Sequence, residues 1–257
     1  MNINQSKLSG DLFPKKSDRP KNTLLKLLII SILSASGLGY FLYRETELNV
    51  DKQIVENCFR YKNCQDTVSA LERLVKAKKS LKLFNLKDAH LEKAHLENAR
   101  LENASLENAH LEQANLESAN LEAADLENAH LEAANLENAR LKSANLEGAH
   151  LDNSHLENAN LSSANLAVSK IDRAHLDNAD LESVHLSHAN LSNSFLINTD
   201  LRNAYLSNAK FEQTYFNGAN LRGAHFYRTN FNRAIFDRAN LANTYFFRSN
   251  FDLSLIH

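Results

Sequence analysis

Residues 114–126 read Ala114-Asn115-Leu116-Glu117-Ser118, Ala119-Asn120-Leu121-Glu122-Ala123, Ala124-Asp125-Leu126, a five-residue unit repeated without interruption. The period extends outward from this stretch. Every fifth position from Leu81 to Ile256 is Leu, Ile or Phe. An α-helix advances about 100° per residue, so a step of five turns each leucine about 140° from the last and forms no stripe. A flat strand puts successive leucines on opposite faces, because five is odd. A chain that turns a corner every five residues keeps all of them inward. Such a chain is a solenoid with flat sides.

A second column supports the coil. Two residues before each core position, from Ala89 to Ser254, the residue is Ala, Ser, Thr or Val. These are small enough to sit beside an inward leucine. Gly148, Gly218 and Gly223 fall two residues after a core position, a slot shared by Asn98, Asn103, Asn108, Asn128 and Asn138. Gly and Asn tolerate positive φ, so this slot is the expected corner. No proline follows Pro20, so no ladder donor is lost. A longer repeat sets the number of sides: Glu107-Asn108-Ala109-His110 returns as Glu127-Asn128-Ala129-His130 and Glu147-Gly148-Ala149-His150. Twenty residues per turn means four sides of five. Residues 81–257 then make about nine turns, roughly 40 Å of rod at about 4.8 Å per rung. Each buried Leu or Phe contributes roughly 1.5–3 kcal/mol, spread along a rod whose turns lean on their neighbours.

Runs such as residues 114–126 resemble the pentapeptide-repeat family, written A-(D/N)-L-x-x, over about two-thirds of the chain. The resemblance implies a right-handed, four-sided β-helix. The position just before the core residue departs from Asp/Asn in many repeats, where it is His, Arg, Tyr or Phe. It points outward, so the fold expectation stands. The expected fold class is an all-β solenoid preceded by a transmembrane helix and a short α-helical cap.

The segment ahead of the rod carries the topology. Residues 1–23 are polar and basic, and Leu24 to Tyr43 are almost wholly apolar. Twenty residues make about 30 Å of helix, enough to cross a bilayer. Lys26 can snorkel at one end, and Tyr40 and Tyr43 suit the opposite interface. The flanking cations place the N-terminus in the cytosol, hence a single-pass cytoplasmic (inner) membrane protein with its rod on the extracytoplasmic side. Cleavage as a signal peptide at Ser34-Ala35-Ser36 is the rival reading, but the apolar run continues to Tyr43, which favours a retained anchor. A buried helix of a soluble domain is a third reading, with no other helical region to bury it. Cys58 and Cys64, the only cysteines, fit a small disulfide loop in an oxidising compartment, two free thiols being the alternative. Residues 66–80 read as a helix with Asp66 as N-cap, Ser69 and Glu72 as a capping box, and Val68, Leu71, Leu74 and Val75 as the apolar face. Lys76, Lys78 and Lys79 suit its C-terminal end. Its expected job is to cover the open first turn, since a bare β-edge templates aggregation. The organisation is therefore a basic tail (1–23), an anchor (24–43), a linker with cysteine loop and capping helix (44–80) and the β-helix (81–257). Phe246, Phe247, Phe251, Leu253, Leu255 and Ile256 at the far end suit a hydrophobic cap or a homodimer contact through the C-terminal coil.

Charge divides the rod. Residues 85–160 carry 15 acidic and 5 basic side chains, net −10, and residues 161–257 carry 8 and 9, net +1. The acid comes from the slot after the core leucine, Glu in every repeat from Glu92 to Glu137. Stacking at twenty puts Glu92, Glu112 and Glu132 in one column, where like charges repel through screening water. A solubilising surface is the plain reading. The sharper one is a duplex-like anionic rod, since some pentapeptide-repeat proteins mimic DNA and bind DNA gyrase. The membrane segment and the neutral C-terminal half depart from that pattern, so nucleic-acid-like action on a topoisomerase is the alternative here.

His90, His110, His130 and His150 are spaced by twenty and stack beside the glutamates. Such a face could take a divalent metal or respond to pH near 6. Duplication of one twenty-residue unit would copy it equally well, and no tight metal site is expected. In the C-terminal half, Tyr205, Tyr215, Tyr227, Tyr245 and Phe247 accompany Arg222, Arg228, Arg233, Arg238 and Arg248. Aromatics with arginine are common at interfaces. The expected interaction surface is Tyr205, Arg222, Tyr227, Arg228, Tyr245, Phe247 and Arg248, facing an unidentified protein partner. Nucleic acid is not expected there. The chain shows no Gly-rich phosphate loop, nucleophile elbow or carboxylate pair in a cleft, so the expectation is a non-enzyme without a cofactor.

Overall fold

The computed structural model describes residues 45–53, 55 and 67–251. The basic tail 1–23, the apolar run 24–43, Cys58, Cys64, Asp66, Leu253, Leu255 and Ile256 lie outside the described residues. Among the described residues, no helix is long and apolar enough to cross a membrane. The described residues divide between two units at Asn49 and Val50. The coil lies in the second.

Each turn of the coil takes twenty residues. Parallel bridges join every position just before a core residue to the one twenty residues on, from Ser80↔Arg100 to Asn220↔Asn240. Near the C-terminal end the bridges lengthen into short strands. β1 (His225–Tyr227) pairs in parallel with β3 (Tyr245–Phe247), and β2 (Asn230–Phe231) with β4 (Asn250–Phe251). A core residue and the bridge residue before it mark one side, so four sides close each turn.

Following the backbone donors of a single unit explains the consensus. Leu111 N–H donates to His130 O at 2.7 Å, and Gln113 N–H to Glu132 O at 2.9 Å, one rung up. Ala114 N–H closes the corner on Leu111 O at 3.0 Å, and Asn115 N–H returns to Ala94 O at 2.9 Å, one rung down. Four of the five donors are thus met by backbone. The fifth belongs to the residue after the leucine, and where the preceding slot is Asn or Asp its side chain accepts it: Glu137 N–H donates to Asn135 Oδ1 at 3.0 Å, and Glu127 N–H to Asp125 Oδ1 at 3.2 Å. The small amide or carboxylate therefore completes a set of buried or half-buried donors that would otherwise be costly to leave open.

The corner slot has positive φ throughout, from Leu83 (64°) to Arg248 (55°), with Gly148 at 67°. With the i→i+3 bond this is the type II turn, which requires φ > 0 at its third residue. Asn and Gly relieve the strain; Val168, β-branched and at φ 62°, cannot. Every core position from Leu81 to Phe231 is at most 1% exposed. The expectation of an unbroken core fails only in the final coil. There Leu241 is 41% and Phe246 37% exposed, because no rung among the described residues stacks on them.

Two expectations about the start of the rod need correction. The helix of residues 45–53 is here α1, and α2 runs Thr67–Lys76 rather than to residue 80. Lys79 N–H donates to Leu74 O at 2.9 Å and Lys78 N–H to Val75 O at 2.7 Å, the Schellman pattern, with Lys78 at φ 55°. Lys78 lies five residues before Leu83, so the residue that ends the helix is also the first corner of the coil. The buried face of α2 is Thr67, Ala70, Leu71 and Leu74, with Val68 and Val75 half-buried. Glu72 does not serve Ser69. Its Oε1 accepts His95 N–H at 3.0 Å, a donor that one rung higher is met by backbone. A helix side chain thus replaces the missing rung. Asp51 of α1, nearly buried, holds Arg73 of α2 through Nε at 2.9 Å and Nη2 at 2.5 Å.

Candidate functional site

The coil converts sequence columns into ladders, because side chains twenty apart sit one rung apart. The slots before and after each core residue point outward on the same side. Each side therefore shows two parallel columns, separated from the next side by a corner column.

On one side the first column is His90, His110, His130 and His150. Their ring centroids are 4.7, 4.8 and 4.7 Å apart, and the first two pairs are parallel within 7° and 4°. Beside them His90 Nδ1 lies 3.0 Å from Glu92 Oε1, and His110 Nδ1 3.1 Å from Glu112 Oε1. These histidines do not supply the acceptor that Asn would give the next backbone N–H; they pair with the next side chain instead. The top of the ladder breaks the pattern. Its own rung offers Asp152, one methylene shorter, and Asp152 Oδ1 already accepts Asp172 N–H at 2.9 Å. His150 turns down to Glu132 Oε1 at 3.1 Å and tilts 58° from His130. His130 Nδ1 lies 3.5 Å from that same oxygen. Glu112 Oε2 and Glu132 Oε2 are buried without a hydrogen-bond partner, as are Glu102 Oε2 and Glu157 Oε2. At the foot of this ladder burial pushes the Glu92 carboxyl up, but His90, the Glu92 backbone N–H and His110 together bring it below the usual value.

On the next side, the hydrogen bond to Glu97 raises His95 above the ordinary histidine range, helped by the charges of Glu97 and Glu72. Higher on that side a second ladder runs His155, His175, Phe195 and Tyr215, with centroids 5.1, 4.8 and 5.0 Å apart and planes within 13°. Arg173, Gln213 and Arg233 flank it from the corner column and form a shallow groove with it. Sequence reading singled out Tyr215 as outward but missed the ladder, although the spacing of 155, 175, 195 and 215 carries it.

The expected surface gathers on the opposite side. Tyr205 and Tyr245 belong to one ladder with His185 and His225, centroids 4.8, 5.8 and 4.8 Å apart. The histidines of this ladder went unremarked in the sequence. In the parallel column Tyr227 stacks on Phe247 at 5.5 Å and 8°. Arg228 lies over the Tyr227 ring at 5.1 Å and Arg248 over Phe247 at 5.4 Å, cation–π distances. Arg222 lies across the Gly223 corner, lining a shallow groove with Arg202, His225 and Tyr245. The structure therefore brings all seven expected residues into one patch around the end of one side. Tyr205, Tyr227, Tyr245 and Phe247 are 37–60% exposed. The rings stack face to face, so their edges face outward, and the hydroxyls and guanidinium groups supply the polar contacts.

The family model described as a pentapeptide repeat region matches residues 84–166 and 169–246, and Val168 falls in the gap between the two matches. No curated protein matches the chain. Similar solved structures include HetL, a pentapeptide repeat protein involved in heterocyst differentiation regulation from the cyanobacterium Nostoc sp. strain PCC 7120; it is 25% identical over 74% of this chain and 98% of its own, with a TM-score of 0.38. QnrB1, a plasmid-mediated fluoroquinolone resistance protein, is 15% identical over 58% of this chain and 88% of its own, TM-score 0.32. Rfr23, a pentapeptide repeat protein from the cyanobacterium Cyanothece 51142, is 33% identical over 40% and 63%, TM-score 0.20.

Proposed function

Because the chain belongs to the pentapeptide-repeat family, we propose that it is a membrane-anchored, non-enzymatic scaffold whose rod holds a protein partner on the extracytoplasmic side. The observation that carries this reading is the patch of Tyr205, Tyr245, Tyr227 and Phe247 with Arg222, Arg228 and Arg248. It joins exposed aromatic area to fixed cations, the composition of interaction hot spots. The groove beside His175, Phe195 and Tyr215 offers a second contact on the opposite side. The apolar run 24–43 with basic residues before it supports the anchor and the orientation.

The acidic first half supports a second reading, a cytosol-facing anionic rod that mimics nucleic acid toward a topoisomerase. Two measurements separate them. Alkaline phosphatase fused after His257 is active only outside the cytosol, and an inactive fusion would overturn the first reading. A photo-crosslinking residue at Tyr245 is expected to give a protein adduct in cells, and one at Gln113 on the acidic half none. Adducts from Gln113 alone, with inhibition of gyrase by the purified protein, would establish the second reading.

A further inference from the structure

We propose that His130, Glu132 and His150 form an exchangeable site for one divalent transition-metal ion of the zinc class. Three overlapping clusters along the ladder bring ligand atoms within 4.8 Å of one another: His90, Glu92 and His110; His110, Glu112 and His130; His130, Glu132 and His150. Ring orientation selects among them. An imidazole nitrogen donates its lone pair in the ring plane. Stacked rings parallel within 7° and 4° keep their lone pairs in separate parallel planes, so one ion cannot lie in both without a ring rotating. His130 and His150, tilted by 58°, can converge.

The distances agree with this choice. Zinc bonds imidazole nitrogen at about 2.0–2.1 Å and carboxylate oxygen at about 2.0–2.2 Å, so tetrahedral ligands sit roughly 3.4 Å apart. Glu132 Oε1 lies 3.1 Å from His150 Nδ1 and 3.5 Å from His130 Nδ1. The other oxygen of Glu132 is buried and has no hydrogen-bond partner, so the carboxylate is not saturated by its surroundings. Two imidazoles and one carboxylate suit zinc, nickel or copper rather than calcium or magnesium, which prefer oxygen. Three protein ligands on a half-buried face leave at least one coordination position to solvent. Lys170 on the next rung adds a repelling charge, and both features favour exchange over tight capture. The tilt has its origin in Asp152. Too short and already engaged by Asp172 N–H, it leaves His150 to share the glutamate below.

The test is calorimetric titration of the untagged full-length chain in detergent with zinc chloride. The expected result is one ion per chain, with Glu132→Gln and His150→Asn each weakening it at least about tenfold and His90→Asn leaving it unchanged. Circular dichroism of each variant checks the fold. Equal weakening by His90→Asn and His150→Asn, or no saturable binding in the wild-type chain, would overturn the site. Copper(II) in place of zinc gives an independent reading, because the electron paramagnetic resonance spectrum is expected to show two coupled nitrogens in the wild type and one in His150→Asn. An unchanged spectrum in that variant would equally overturn it.

Discussion

The two halves of the coil keep one backbone and fill it differently. Up to Leu206 the core is leucine, with Ile171 the one exception, and the small slot is mostly alanine. From Phe211 the core turns aromatic. Phe211 stacks on Phe231 at 5.5 Å, Phe216 on Phe236 at 4.8 Å, and Phe226 on Phe246 at 5.1 Å. Around this change the small slot gains hydroxyls that tie rungs together: Thr199 Oγ1 donates to Leu176 O at 2.9 Å, Thr214 to Leu191 O at 2.8 Å, and Thr229 to Leu206 O at 2.8 Å. The outer columns change in step, from glutamate with histidine to tyrosine, phenylalanine and arginine. A repeated backbone that meets four of the five donors of a stacked unit by itself leaves its surface free to vary. The acidic half uses that freedom for charge, and the aromatic half for contact area near the last described rung.

Core truncation tests this contrast most strongly. Leu116 and Phe216 occupy the same column, and both are fully buried. Leu116→Ala is expected to cost about 2–5 kcal/mol and Phe216→Ala about 3–5 kcal/mol, read by chemical denaturation. A smaller loss at Phe216 would mean that the aromatic half is the looser one. Val168, where the two family matches part, holds an unfavourable positive φ with its side chain 57% exposed. Val168→Gly is expected to stabilise by about 1–2 kcal/mol, and a loss would show that the valine makes a contact worth more than its strain. Thr214→Val keeps the shape and removes the hydroxyl, at an expected cost of about 1 kcal/mol. No change there would remove the inter-rung hydroxyl from the account.

The smallest effect is electrostatic and belongs to the acidic half. His95 is raised chiefly by Glu97. A raised histidine adds stability that is complete below its unfolded value of about 6.5 and fades as pH climbs through the folded value. Glu97 is lowered: burial pushes it up, but its backbone N–H, His95 and Asn115 outweigh that. Its contribution is present above the unfolded value of about 4.5 and fades as pH falls through the lowered folded one. The His95 titration followed by NMR is expected to lie above the free-histidine midpoint and to move down in Glu97→Gln. An unchanged midpoint would assign the shift to other charges. With 73% of the His95 side chain exposed, its effect on stability is small.

Much of the candidate surface was legible before the structure. Tyr227 and Phe247 are twenty apart and stack, while Arg228 and Arg248, at the same spacing, each lie over the neighbouring ring, Tyr227 and Phe247 respectively. Phe195, His185 and His225 obey the same spacing, but a single histidine or phenylalanine in an outward slot carries no mark of the ring it will stack on. The helix end could not be read from Lys76, Lys78 and Lys79, since a lysine carries no mark of positive φ. Nor could Glu72 be read as the substitute for a missing rung, because its capping-box spacing pointed to a local partner.

The sequence alone determined the period of five, the turn of twenty, the inward residues and the corner slot. Each of these follows from the covalent step of the chain and from which side chains fit inside it. Only the tertiary structure decided which neighbour each outward side chain takes. His150 reaches Glu132 rather than Asp152, and Glu72 reaches His95 rather than Ser69. Rungs less than 5 Å apart put rival partners within equal reach, and the choice then turns on one methylene and on which acceptor a backbone N–H has already claimed.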